Sequence, residues 1–220
     1  IPVRKVPYTY RDPRTGKETT EELYPAEIFF GEMLAGTNFD DDATRKTSGR
    51  NGMGAKLIVV FSTLAIVECS NPDDRLLFRQ EYRKAGKKRS TPVLERWTRK
   101  TGYTSITFQP DYEYFRMPLT DPIDDDLFGI ISRLVYESAM VSGLRVSLNG
   151  DPILDPKGKP LRSLTAYTPL CFPEAPSMSF LAPNGDECVV VEAQTPSEDA
   201  KLQHLSWING IYTQRGGLHV

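Results

Sequence analysis

The 220 residues are 39% hydrophobic and 25% charged, with 27 Lys and Arg set against 29 Asp and Glu for a formal net charge of -2. This is an ordinary globular composition with enough apolar residues for a core, sized for one large domain or one and a half smaller ones. The charge balance excludes attraction to nucleic acid through overall charge, three cysteines and two histidines form neither a disulfide framework nor a zinc-ligand spacing, and no window approaches the roughly 18 apolar residues of a membrane span.

The chain begins at Ile1-Pro2-Val3, without an initiator methionine or signal core, as expected for a piece of something longer. Residues 3–10 are rich in Val and Tyr and read as extended; RDPRTGKETT follows with Asp-Pro and Thr-Gly turn chemistry, an exposed hairpin tip. A helix is predicted over residues 25–35, with Pro25 in its first turn, Ile28, Phe29, Met33 and Leu34 on its buried face and Gly36 at its end. A polar, glycine-rich segment without periodicity runs over residues 36–54, a length that reads as either a functional loop or a disordered one.

Next, AKLIVVFS carries Leu57, Val60 and Phe61 as a helical stripe, and residues 64–69 read as a strand. RLLFRQEYR, YTSITFQP, LRVSLNG and ECVVVEA have the β-branched, aromatic, alternating character of half-buried strands. Between them one strong helix is expected, capped by Asp121, with Pro122 at its start, Asp124–Asp126 at its positive end, and Leu127, Ile130, Ile131, Leu134 and Val135 as its apolar face. Residues 152–183 are proline-rich and read as irregular, and HLSWINGIYTQRGG reads as a strand leaving the layer after a boundary near Lys201. Strands grouped with few helices predict an α+β fold: a mostly antiparallel sheet with helices on one face.

The chemistry concentrates in SGRNGMGAKL. Gly49 and Gly54 have the spacing of GxxxxGK[ST], but Ala55 displaces Lys56 by one place and Leu57 replaces the magnesium-binding hydroxyl, so this is not that loop. Gly52-Met53-Gly54 does not reach the third glycine of a dinucleotide fingerprint. Glycines that let backbone approach an anion, N–H groups at a helix start and Lys56 in the first turn suit a polyphosphate cradle; a glycine turn with a solvated lysine has the same spacing.

GRNGMGAKL, preceded by YPAEIFFGEML and LAGTNFDDD, resembles the ATP lid of the type IIA DNA topoisomerases of the eukaryotic and viral kind. YTSITFQPD, VSLNG and SWINGIYTQRGGLHV are similar to later landmarks of the same ATPase region in the same order, and the Arg50-Asn51 and Ala55-Lys56 pairs favour the eukaryotic type over the gyrase type. The resemblance implies an incomplete Bergerat fold, shared with gyrase, chaperone, histidine kinase and mismatch-repair ATPases, with residues 1–200 as the C-terminal part of the ATPase domain and 201–220 as the start of a transducer domain.

It further implies ATP and Mg2+ as cofactors, with Gly49, Arg50, Asn51, Gly52, Met53, Gly54, Ala55 and Lys56 wrapping the triphosphate, and Thr37 and Asn38 contacting ribose and phosphate. Gly36 stands where many relatives have serine, and Met53 where many have tyrosine. The general-base glutamate, the magnesium-binding asparagine and the adenine anchor would precede Ile1, and a lysine reaching the terminal phosphate would follow Val220, so the fragment alone is expected to be inactive. Implied partners are a second subunit in a homodimer and double-stranded DNA, with no membrane. The implied location is intracellular: the nucleus, or the host cell and virion for a viral protein. A non-catalytic nucleotide-binding or dimerisation clamp of the same fold is the alternative.

Asp40, Asp41 and Asp42 read as solvated or capping carboxylates rather than a metal cluster. The basic run over residues 79–100, with Tyr82 and Trp97 interleaved, reads as a solvated hairpin or as a contact for DNA phosphates. Cys69 and Cys188 read as buried small residues, and His219 as structural.

Overall fold

A computed structural model describes residues 1–12, 15–33, 35, 49, 51–120, 122–192 and 204–213. They fall into two compact units, one within residues 1–122 and one within residues 123–220.

The first unit begins with a hairpin, β1 (Val6–Arg11) and β2 (Glu18–Leu23), turned by the predicted polar tip. Helices α1 (Pro25–Gly31) and α2 (Gly54–Val60) precede β3 (Ser62–Asn71), β4 (Leu76–Arg83), β5 (Lys88–Arg89), β6 (Val93–Arg96) and β7 (Tyr103–Pro110). These strands form one antiparallel sheet in which β3 lies between β4 and β7, while the far edge of β4 pairs with β5 and β6 along different stretches.

Strand alternation explains the core. Ala65, Val67 and Cys69 on β3 stand opposite Tyr82, Gln80 and Phe78 on β4, so small side chains face large ones across the ladder. All six are buried, and Ala26 and Phe30 of α1, Val59 of α2 and Val3 close over the apolar ones. Val3 is held in place by its N–H, which donates to Asp74 Oδ2 at 2.7 Å in the β3–β4 turn.

A polar network runs through this core. Gln80 Nε2 donates to Glu27 Oε1 at 3.3 Å and to the Ser90 carbonyl at 2.8 Å, Tyr82 Oη donates to Gln80 Oε1 at 2.7 Å, and Glu27 Oε2 accepts the Tyr24 N–H at 3.0 Å. A buried amide and carboxylate left unpaired would each cost free energy, so these bonds fix α1 to β4 and to the hairpin beyond it. Burial also pushes the Tyr82 phenol well above its ordinary pKa, against the opposing influence of Arg89.

The second unit comprises α3 (Asp125–Ser142), the hairpin β8 (Ser147–Leu148) and β9 (Asp151–Pro152), α4 (Leu164–Cys171), the hairpin β10 (Ser177–Leu181) and β11 (Glu187–Val191), and the hairpin β12 (Trp207–Ile208) and β13 (Ile211–Tyr212). Its core is Ala139, Met140, Ile153, Leu161 and Tyr167. Trp207 joins it by donating its indole N–H to Glu137 Oε2 at 3.2 Å, and Arg133 Nε donates to Glu137 Oε1 at 2.6 Å. The Glu187 carboxylate, which burial alone would push up in pKa, is held below its ordinary value by the Leu164 N–H and the Thr165 N–H and hydroxyl.

Several expectations are corrected. Helix α1 stops at Gly31 rather than residue 35, and its buried face is Ala26, Glu27 and Phe30 while Phe29 and Met33 are exposed, because two turns lay one narrow stripe on the sheet. In α2 the buried positions are Lys56 and Val59, with Leu57 outward. The cap of α3 is Asp124, whose Oδ1 accepts the Leu127 N–H at 2.9 Å; Asp121 lies outside the described residues. Ile130 and Leu134 are exposed because only the C-terminal half of α3 packs in the core, through Glu137, Ala139 and Met140. Residues 152–183 contain a helix and a strand, and the HLSWINGIY segment is a tight hairpin turned by Asn209 and Gly210 at φ 51° and 81°. Cys69 is buried, Cys188 only half-buried. The boundary near Lys201, Asp40–Asp42 and His219 lie outside the described residues.

Tyr82→Phe should remove the donor to Gln80 Oε1 and cost about 1–3 kcal/mol. Urea denaturation should show this as a lower midpoint at unchanged slope; an unaltered midpoint would mean the network carries no net stability.

Candidate nucleotide lid

The lid residues enter α2 through a short glycine-controlled turn. Gly52 has φ +58°, in the left-handed region where a side chain is strained, and Met53 at φ -103° and ψ -29° takes the cap position without a side-chain cap bond. The Lys56 and Leu57 N–H groups both donate to the Met53 carbonyl at 3.0 Å. Gly54 and Ala55 therefore occupy the first turn, where helix geometry offers their N–H groups no acceptor within the helix.

Lys56 is not the solvated side chain of the simple-turn reading. It is 3% exposed, and its Nζ donates to the Gly52 carbonyl at 2.6 Å, so the lysine clasps its own loop. Burial lowers its pKa below the ordinary lysine value, with the Glu32 carboxylate acting the other way.

Gly49, Asn51, Gly52, Met53, Gly54, Ala55 and Lys56 line one open cavity of about 570 Å³, with Phe29, Ala35 and Leu57 as its apolar wall. Gly49, Asn51 and Gly54 are exposed at its mouth. Ideal Cβ atoms at Gly49 and Gly54 would meet no atom of the described residues within 4 Å, so among these residues space is open over the backbone there. Thr37, Asn38 and Arg50, assigned to the same site from the sequence, lie outside the described residues.

The donor set is backbone N–H groups and one ammonium. It fits the anionic end of a nucleotide. Among the described residues no group of three His, Cys, Asp or Glu side chains converges as a metal site, so the magnesium implied by the resemblance finds no ligand cluster among them.

Sequence reasoning missed the support behind the lid: Glu27, Gln80 and Ser90, and the ion pair of Glu32 Oε1 with Arg89 Nη1 at 2.9 Å. The period-2 run Phe78, Gln80, Tyr82 was the available signal, since a glutamine on an otherwise apolar strand face calls for a buried partner. The basic hairpin follows the solvated reading in part: Lys84, Lys87 and Lys88 are exposed, Arg79 pairs with Glu68 and Glu81, and Arg99 stacks on Trp97 at 5.3 Å.

No protein-family model matches the chain. Among curated proteins it is 34% identical over 203 residues to a probable DNA topoisomerase 2 of Dictyostelium discoideum, covering 90% of this chain and 13% of that protein. The DNA topoisomerase 2 of Invertebrate iridescent virus 6 is 30% identical over 201 residues, covering 90% of this chain and 17% of the relative. The ATPase region of Saccharomyces cerevisiae topoisomerase II superposes with a TM-score of 0.75 at 26% identity, over 96% of this chain and 51% of that one. The chain is homologous to the ATPase region of DNA topoisomerase II.

The solved ATPase and transducer domains of DNA topoisomerase II from Balamuthia mandrillaris also match, with a TM-score of 0.71 at 29% identity over 88% of this chain and 47% of that one. The chain thus spans under a fifth of these two curated relatives and about half of the solved topoisomerase II regions. The α+β, antiparallel architecture expected from the sequence is that of this ATPase fold. Among the described residues no helix is long and apolar enough to cross a membrane.

Two glycine substitutions should part company. Gly52→Ala should cost about 1–2 kcal/mol through its left-handed backbone, whereas Gly54→Ala, with open space around its Cβ, should leave the thermal midpoint unchanged or higher; equal losses at both positions would contradict the turn geometry.

Proposed function

We propose that this chain forms the lid-bearing part of the ATP-operated gate of a type IIA DNA topoisomerase. The reading rests on one observation above others: a chain homologous to the topoisomerase II ATPase region carries Gly49, Gly52, Gly54 and Lys56 around a single open cavity. In this reading the lid's backbone N–H groups and Lys56 receive the triphosphate, with Thr37, Asn38 and Arg50 completing the contact. Magnesium accompanies the nucleotide and neutralises its phosphates. Residues 1–200 belong to the ATPase domain and residues 201–220 begin the transducer.

The gate works by linkage. A nucleotide that binds the closed homodimer better than the open one shifts the equilibrium toward closure, and by no more than that difference in affinity. Closure captures one DNA duplex for passage through a transient double-strand break in another, and hydrolysis resets the gate. The lid's part is to supply contacts that exist only when nucleotide is present. In the structure one of the three ammonium donors of its lysine goes to the Gly52 carbonyl, and the remaining donors and the charge suit a phosphate.

General-base catalysis needs a group in hydrogen-bond reach of the attacking water, and the resemblance gives that role to a glutamate outside these residues. The 220-residue polypeptide alone is therefore inactive in ATP turnover. A clear Lys56-dependent turnover by the isolated polypeptide would contradict this.

Lys56→Ala in the full-length protein should weaken nucleotide binding roughly 10- to 100-fold, the range of a lost hydrogen bond to a charged group. ATP-driven relaxation of supercoiled DNA should fall with it. Relaxation at the unsubstituted rate would refute the lid's role.

A further inference from the structure

Lys56 faces two depressions. Behind the lid cavity, a second cavity of about 330 Å³ lies between α1, α2 and the β4–β5 hairpin, and among the described residues four charged side chains line it: Glu32, Lys56, Lys87 and Arg89. Only one of the four is an acid. A lone carboxylate among three cations must be shared out, and the way it is shared decides how much positive charge the lid can offer an anion.

Arg89 holds that carboxylate, with Nη1 on Glu32 Oε1 at 2.9 Å. Both ends of the pair are fixed by the fold. Glu32 closes α1 with its N–H on the Ile28 carbonyl at 3.2 Å, and Arg89 is the register partner of Tyr82, one residue before the Ser90 carbonyl that accepts from Gln80. The backbones approach closely: a Cβ at Gly31 would lie 3.3 Å from Arg89 Nη1 and 3.5 Å from Tyr82 Oη.

Lys56 is treated differently. The ion pairs among the described residues include none on Lys56, whose hydrogen bond goes to the Gly52 carbonyl. Yet the carboxylate acts on both cations. Burial lowers the Lys56 pKa while Glu32 raises it, and burial likewise opposes Arg89, where the Glu32 contact prevails.

We propose that Arg89 is a positioning residue for the lid lysine, acting through Glu32: by holding the carboxylate on the hairpin side of the cavity, it keeps the Lys56 ammonium uncompensated for a nucleotide's phosphates. The inference rests on the nucleotide-binding reading of the lid. Without the guanidinium, Glu32 is free to pair with Lys56 and to repel phosphate, and both effects weaken binding. With Glu32 neutral, Arg89 has nothing to withhold. The basic hairpin, which overall charge leaves without a role, thus sets the charge of the site from behind.

The test is calorimetric binding of a β,γ-imido ATP analogue with magnesium to the full-length protein. Arg89→Gln should weaken binding roughly 3- to 10-fold, the scale of one partly screened charge. Glu32→Gln should bind equally or more tightly, the double variant should match Glu32→Gln alone, and Arg89→Lys should stay near the unsubstituted value, with circular dichroism confirming that each variant folds. Arg89→Gln weakening binding equally with and without Glu32, or both single variants weakening it together as a merely structural pair would, overturns the positioning role alone. No analogue binding by the unsubstituted protein, or unchanged binding by Lys56→Ala, overturns the nucleotide reading on which it stands.

Discussion

Gln80 sits on a strand face that should be apolar, and the first unit is arranged around satisfying it. Its neighbours Phe78 and Tyr82 fill the space left by Ala65, Val67 and Cys69 across the ladder, so the amide has no path to water. Its partners have to come from elsewhere in the chain: Glu27 from α1, Ser90 from the strand beyond the basic turn, and the Tyr82 hydroxyl from the same strand. A buried network of this kind stabilises only when complete, which is why it fixes the direction of α1 as well as its presence. The lid inherits that direction, because Phe29 and Ala35 wall its cavity and Glu32 stands at the end of the same helix.

Two consequences meet at Lys56. In front, the glycine turn gives it a carbonyl to hold and leaves open space over Gly49 and Gly54. Behind, the hairpin keeps engaged the one acid that lines the rear cavity among the described residues. An ammonium that is nearly out of water, bonded to a single carbonyl and facing a Glu32 carboxylate that Arg89 already holds, is an under-compensated charge. Such a charge costs free energy in the empty site, and that cost is recovered when an anion arrives. This gives a physical reason for a homologue of the topoisomerase II ATPase region to carry a buried lysine at this glycine turn.

The sheet was legible because its pattern is local: LLFRQEYR, YTSITFQP and the run ending in AIVEC alternate as strands do, and the structure pairs them as β4, β7 and β3. The glycine turn leading into α2 was legible for the same reason, since glycines and a lysine at fixed offsets are sequence facts. Helix faces were not. Periodicity in α1 and α3 gives an apolar stripe but not the neighbour that covers it, so Phe29, Ile130 and Leu134 read as core and stand exposed while Glu27 and Glu137 are buried. Asp124 and Asp121 carry the same capping chemistry, and spacing alone did not choose between them. The Asn-Gly pair at 209–210 did carry its hairpin signal, but the apolar residues around it read as one strand. The burial of Lys56 and the Glu32–Arg89 pair depend on segments more than twenty residues apart and leave no local trace.

The central claim is that residues 49–56 form a lid that closes on nucleotide. Hydrogen exchange with mass spectrometry, on the full-length protein with and without a saturating non-hydrolysable ATP analogue, addresses it most directly. The account requires strong new protection across 49–56 with little change in β3 and β4, already protected as the core of the sheet. Unchanged exchange across 49–56 at saturation would contradict it.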